Sequence, residues 1–226
     1  MHRIISFSIA ALLVSFGGAA LAQEADDDLI SLMFRGIDQR SYVHADKLWP
    51  LRQISVCWEE LAESSSSDRE LVRKAIAESW EAHSCLKFTG WKECTSSNKG
   101  IRIRVADSGP HTLGLGTSLD GKASGMLLNF TFSNWRPSCA TSELARINCT
   151  YSIAVHEFGH ALGFAHEHNR PDTPGECTKA PQGSNGTEIL TPWDKHSVMN
   201  YCNPVYNNDG QLSFWDKYSI KHYYCT

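Results

Sequence analysis

Residues 156–166 read His-Glu-Phe-Gly-His-Ala-Leu-Gly-Phe-Ala-His, and no other stretch of the chain constrains its fold as much. On a helix, His156 and His160 lie four residues apart, so both imidazoles leave one face and can share a metal ion. Glu157 sits one position round, where it reaches a metal-bound water rather than the metal. Gly163 permits a left-handed exit that ends the helix and turns the chain back. His166 then supplies a third nitrogen from the far side of the ion. Three protein ligands leave one coordination position for water, the catalytic rather than the structural arrangement for zinc. The plain alternative is a capped amphipathic helix with surface histidines. With 10 histidines and 16 glycines in 226 residues, the five fixed positions coincide by chance with a probability of about 10⁻⁴ over the chain, which weighs against it.

The rest of the composition narrows the setting. Hydrophobic residues make up 42% and charged residues 20%, enough for a real core. A net charge of −4 with no clustered Lys and Arg argues against nucleic acid as a partner. Residues 1–22 begin with His2 and Arg3, run apolar from Ile4 to about Leu21 and end in Ala20-Leu21-Ala22. That is a cleavable secretory signal, too short for a membrane span, and no other stretch is apolar enough to cross a bilayer. The protein is therefore expected to be secreted, extracellular or periplasmic, with no membrane attachment after signal cleavage. Export to an oxidising compartment makes the 8 cysteines, all after residue 56, candidates for disulfides. Their pairing is open, since eight cysteines allow 105 connectivities. The sequons at Asn129, Asn148 and Asn185 are read as chance matches.

Along the chain, residues 23–48 are acidic and then mixed, and read as a leader rather than core. Strands are expected at Gln53–Trp58, Leu86–Trp91, Ile101–Val105 and Gly125–Phe132. A polar Ser64–Asp68 loop caps a helix running to about Ser84, and a second helix runs from Ser142 to Gly163. Residues 106–125 and 170–192 are too rich in turn formers for regular elements, and Ser213–Tyr224 closes the chain as a helix.

The eleven-residue pattern is the signature of the metzincin zinc peptidases, which add a Met-containing turn downstream. Ser197-Val198-Met199-Asn200-Tyr201 resembles that turn, with Met199 as an apolar floor beneath the metal. Within the clan the chain is most similar to the astacin family: His166-Glu167-His168-Asn169-Arg170-Pro171-Asp172 resembles that family's extension of its zinc motif. The resemblance is strong over residues 150–201 and faint over 41–135. It implies an α+β metzincin-like fold: a mixed twisted sheet with two main helices in an N-terminal subdomain, an irregular C-terminal subdomain ending in a helix, and the active-site cleft between them. It implies one catalytic Zn2+ on His156, His160 and His166, with Glu157 and Tyr201 as catalytic residues. Tyr201 would be an additional zinc ligand that swings away to hydrogen-bond the oxyanion. Glu167 would approach the α-amino group of the mature chain. Phe34-Arg35-Gly36-Ile37-Asp38 loosely resembles the family's pro-segment motif, in altered order, so residues 23–40 are a possible short pro-segment with Asp38 as a latency switch. The peptidase domain would then occupy residues 41–226.

The function expected is a secreted zinc endopeptidase, a monomer acting on protein or peptide substrates, with Gly125–Phe130 as an edge strand that takes an extended substrate. Two other readings keep the same motif. A catalytically silent binding or adhesion module would be expected to have lost Glu157 or a ligand, and none is lost. A zinc hydrolase of non-peptide amides is separated only by a substrate assay.

Overall fold

Five strands form a mixed sheet in the order β3-β2-β4-β6-β5, in a computed structural model that describes residues 40–225. The signal peptide, most of the pro-segment and Asp38 lie outside the described residues. β2 (Gln53–Trp58) pairs in parallel with both β3 (Lys87–Glu93) and β4 (Ile101–Val105). β4 pairs in parallel with β6 (Met126–Leu128), and β5 (His111–Thr112) runs antiparallel to β6 at the sheet's edge. Parallel neighbours need a crossover, and the β2-to-β3 crossover is helix α1 (Ser66–Glu78). Ser65 caps it, its hydroxyl accepting from the Asp68 amide, and Val72, Ala75 and Ile76 are its buried face. The helix stops short of Ser84 because Ser79 leaves helical backbone angles and donates its hydroxyl back to the Ala75 carbonyl at 2.6 Å.

Helix α2 (Glu143–Ala161) carries the zinc motif and is capped by Ser142, which accepts from the Ala145 amide. From Ser152 to Ala161 every residue is buried, so this half is a core helix rather than an amphipathic surface one. Phe158 packs edge-on against Phe88 and stacks on Trp91, at 5.2 and 5.8 Å between ring centroids. Trp80 is fully buried and donates its indole N–H to the Val155 carbonyl at 2.8 Å, tying the α1 side of the core to α2. Helix α3 (Phe214–Cys225) closes the chain.

Three expectations need correction. Residues 41–43 are not leader: strand β1 (Arg40–Val43) pairs with β7 (Glu188–Leu190), and Val43 is fully buried. The pairing depends on a partner almost 150 residues away, and local periodicity carries no trace of that. The Gly125–Phe132 strand is cut to three residues. The Asn129 side chain accepts from the Thr131 and Phe132 amides, and Phe132 turns to φ 59°. This Asx turn ends the strand before Phe130. β6 is also an inner strand; the open edge belongs to β5.

All eight cysteines are paired, as Cys57–Cys94, Cys85–Cys225, Cys139–Cys149 and Cys177–Cys202. Among the described residues no helix is long and apolar enough to cross a membrane. The side-chain amide of Asn129 is buried and donates to Asp107 and to the Ser108 carbonyl, so this sequon offers no acceptor for a glycan.

Candidate functional site

Three imidazoles meet at the end of α2. His156 and His160 come from its last turns, and Gly163, at φ 98°, reverses the chain so that His166 faces them. This reversal is held from outside the motif. The His44 amide donates to the Gly163 carbonyl and the Ala165 amide to the Tyr42 carbonyl, both at 2.9 Å. The helix-end carbonyls of Ala161 and Leu162 accept from Trp49 Nε1 at 2.7 Å and the Tyr224 hydroxyl at 2.8 Å. The orphan acceptors of a buried helix end are thus satisfied by side chains.

Each histidine is locked through its other nitrogen. Nδ1 of His156, His160 and His166 faces the carbonyl of Val198, Phe164 and Gln182, at 2.7, 2.8 and 2.8 Å. A carbonyl only accepts, so each Nδ1 carries the proton and each Nε2 presents a lone pair. His166 Nε2 lies 3.2 Å from both His156 Nε2 and His160 Nε2. Lone pairs pointed at one another at this distance repel unless a cation sits between them. Tetrahedral zinc with bonds of about 2.0–2.1 Å sets its nitrogens about 3.3–3.4 Å apart, so the donor set fits one zinc ion in spacing and protonation. Burial depresses His156 to about 3 and His160 well below the ordinary value, which keeps both neutral as ligands must be.

Glu157 is 4% exposed, and its Oε2 is buried with no hydrogen-bond partner among the described residues. Burial pushes its carboxyl up to about 8. Met199 is buried under the motif: a side chain at Gly159 would run into Met199 and Trp80. Glycine at that helical position is therefore a packing requirement, and Met199 is the apolar floor expected. Tyr201 stacks on His156 at 5.4 Å, tilts over His166 at 4.5 Å and stacks on His168 at 4.8 Å. The structure thus brings together all five residues singled out in the sequence, His156, Glu157, His160, His166 and Tyr201.

The extension of the motif is a buried brace. Arg170, with a side chain 1% exposed, donates to Glu167 at 2.8 Å and makes two bonds to Asp172 at 2.8 and 2.7 Å. Glu167 also accepts from the Asp194 amide, and its own amide donates to the Met199 carbonyl, both at 2.9 Å. Burial pushes the Glu167 carboxyl up while Arg170 pulls it down.

Sequence reasoning missed Asp216. Its carboxylate accepts from the Ser197 hydroxyl and from the Val198 and Ser213 amides, so α3 holds the Met199 turn in place. Burial pushes this carboxyl up to about 6. Ser213-Phe214-Trp215-Asp216 is a capping-box spacing, the signal that would have located it. His168 has no ligand spacing in the sequence and takes a core role: it is buried, and its Nδ1 accepts from the Tyr201 amide at 3.3 Å.

Comparison with known proteins agrees with the site. The family model described as Astacin, a peptidase family, matches residues 144–176. Zinc metalloproteinase nas-19 of Caenorhabditis elegans is 25% identical over 237 residues, 94% of this chain and 54% of that protein. Blastula protease 10 of Paracentrotus lividus is 28% identical over 136 residues, 59% of this chain and 19% of that protein. The chain spans about half the length, or less, of the curated relatives it matches. Among solved structures, myroilysin aligns with a TM-score of 0.60 at 20% identity, covering 82% of this chain and 99% of that one. High choriolytic enzyme 1, a hatching enzyme zinc-protease from Oryzias latipes, aligns at 0.50 and 19% identity, covering 78% and 93%. These structural likenesses bear on the fold, which is the α+β metzincin-like one.

Proposed function

We propose that this astacin-like chain is a secreted, zinc-dependent endopeptidase that hydrolyses peptide bonds in proteins. The observation that carries the proposal is the convergence of three histidine Nε2 lone pairs, that of His166 lying 3.2 Å from each of the other two, with the buried Glu157 carboxyl beside them. His156, His160 and His166 would hold one zinc ion, which would supply Lewis-acid polarisation of the scissile carbonyl and of the attacking water. Glu157 takes a proton from the attacking water and returns it to the departing amine nitrogen. Burial supports the second half of this role, because a desolvated carboxyl holds the proton it has taken until the amine departs. The Tyr201 hydroxyl donates a hydrogen bond to the oxyanion. Burial lifts its pKa above the ordinary phenol value and so keeps that proton on. The open edge of β5, at His111–Thr112, takes the extended substrate by strand addition in place of the Gly125–Phe130 segment.

The signal at residues 1–22 and the four disulfides support secretion. Removal of residues 23–40 would start the mature chain at Ser41. Ser41 lines a cavity of about 10 Å³, room for one water, together with Glu167, Asp194 and Asp216. Three carboxyls around so small a space favour a cation, and the new α-amino group is the one the chain itself supplies.

The test is mass spectrometry of a mixed peptide library after incubation with protein beginning at Ser41 and carrying one zinc, beside Glu157→Gln. Internal cleavage by the parent that vanishes in the variant and on chelation is the expected result. No cleavage by zinc-loaded parent would overturn the proposal.

A further inference from the structure

The three histidines are not held equally. The carbonyls that fix His156 and His160 belong to Val198 and Phe164, both buried. Each of those residues is itself tied down, the Val198 amide donating to Asp216 and the Phe164 amide to the Gly159 carbonyl. The carbonyl that fixes His166 belongs to Gln182, an exposed residue. It lies in the irregular stretch 178–186, which makes no hydrogen bond from main chain to main chain among the described residues. Asn169 holds it instead. Asn169 Nδ2 donates to the Gln182 carbonyl at 2.7 Å, and Asn169 Oδ1 accepts from the Gln182 amide at 2.9 Å. One side-chain amide thus pairs with both main-chain groups of Gln182, as an opposing residue on an antiparallel strand would. Nδ2 also faces Asn185 Oδ1 at 3.3 Å. Asn169 itself stands on the 3-10 turn Glu167–Asn169 directly after His166, and its amide donates to the His166 carbonyl at 3.0 Å. The ends of the stretch are anchored elsewhere, by the Cys177–Cys202 disulfide and by the Thr187 amide on the Val43 carbonyl. Gly183, at φ 67°, turns the chain past the His166 ring.

Resting on the zinc-peptidase reading above, we propose that Asn169 is a positioning residue for the metal. It fixes the Gln182 carbonyl, the carbonyl holds the His166 Nδ1–H, and the ring then aims Nε2 at the point shared with His156 and His160. Asn169 acts through Gln182 rather than on the metal. Loss of the group that orients a ligating histidine costs about ten- to a hundredfold in metal affinity. Asn169 stands one bond further out, which places its effect at the lower end of that range. Gln182 contributes only main-chain atoms, so its own side chain is dispensable.

The experiment reads zinc retention and histidine geometry, neither of which needs turnover. Zinc affinity is measured by competition with a chromophoric chelator for the parent, Asn169→Ala and Gln182→Ala. The ligand Nδ1–H signals are followed by proton–nitrogen NMR on zinc-loaded protein labelled at histidine. Asn169→Ala is expected to bind zinc about tenfold more weakly and to lose one of the three Nδ1–H signals to solvent exchange. Gln182→Ala is expected to keep the parent's affinity and all three signals. The parent alone gives a check that misfolding of a variant cannot mask. Its Gln182 amide, although exposed by position, is expected to exchange about tenfold more slowly than the Gly183 and Ser184 amides beside it. Parental zinc affinity in Asn169→Ala, loss of all three signals together, equal weakening in Gln182→Ala, or an unprotected Gln182 amide each overturns the proposal. Failure of the zinc-loaded parent to cut any peptide overturns the peptidase reading alone, and a parent that binds no zinc overturns both.

Discussion

Gly159→Ala separates the packing around the zinc motif from ordinary helix energetics, because the two predict opposite signs. Gly159 lies inside α2, where alanine for glycine normally stabilises by about 1 kcal/mol. Here a Cβ would stand 3.1 Å from both Met199 Cε and Trp80 Cζ2, and closer still to Met199 Sδ. Neither neighbour has free room: Met199 is 2% exposed, and Trp80 is fully buried with its indole bonded to the Val155 carbonyl. Overpacking a tight core costs about 1–3 kcal/mol, and two confined neighbours place this case toward the upper end. The net expectation is a loss of about 1–2 kcal/mol, read as a lower urea midpoint with unchanged slope. The measurement is made on chelated, disulfide-intact protein, so that zinc affinity does not enter. Gly175→Ala, with nothing within 4 Å of its Cβ, is the control and is expected within about 0.5 kcal/mol of the parent. Adding Met199→Ala should relieve the clash, giving a favourable coupling of about 1 kcal/mol in the double-mutant cycle. A Gly159→Ala protein as stable as the parent, or strict additivity with Met199→Ala, would refute the packing argument.

Three further outcomes follow from the same structure. Chelation is expected to lower the thermal midpoint and zinc to restore it, by about 2.7 kcal/mol at free zinc roughly a hundredfold above Kd; His156→Ala should show no zinc response, and an equal response in both proteins would remove His156 from the ligand set. The Arg170 hydrogen bonds hold Asp172 below its ordinary carboxyl pKa, so its stabilisation is complete above the unfolded value and is lost as pH falls through the folded one. Parent and Asp172→Asn should accordingly differ by about 0.5–1 kcal/mol at neutral pH, discounted because the Asp172 side chain is 53% exposed, and converge only as the pH falls below the ordinary carboxylate range; a gap independent of pH would rule out the charge. Loop-closure entropy assigns about 5 kcal/mol to Cys85–Cys225, separated by 140 residues, and about 3 kcal/mol to Cys139–Cys149, separated by 10; paired Cys→Ser variants in which the short loop matters more would contradict that order.

What was legible in the sequence is what is determined locally. The bounds of β2 and β4, the Ser142 cap and the left-handed Gly163 follow from alternation, a hydroxyl at the right place and a missing Cβ. The metal centre was legible for the same reason, since His156, Glu157 and His160 need only one helix, and His166 only one turn more. What supports the centre was not. His44, Trp49 and Tyr224 secure the helix end from opposite ends of the chain, and none carries a local mark of that duty.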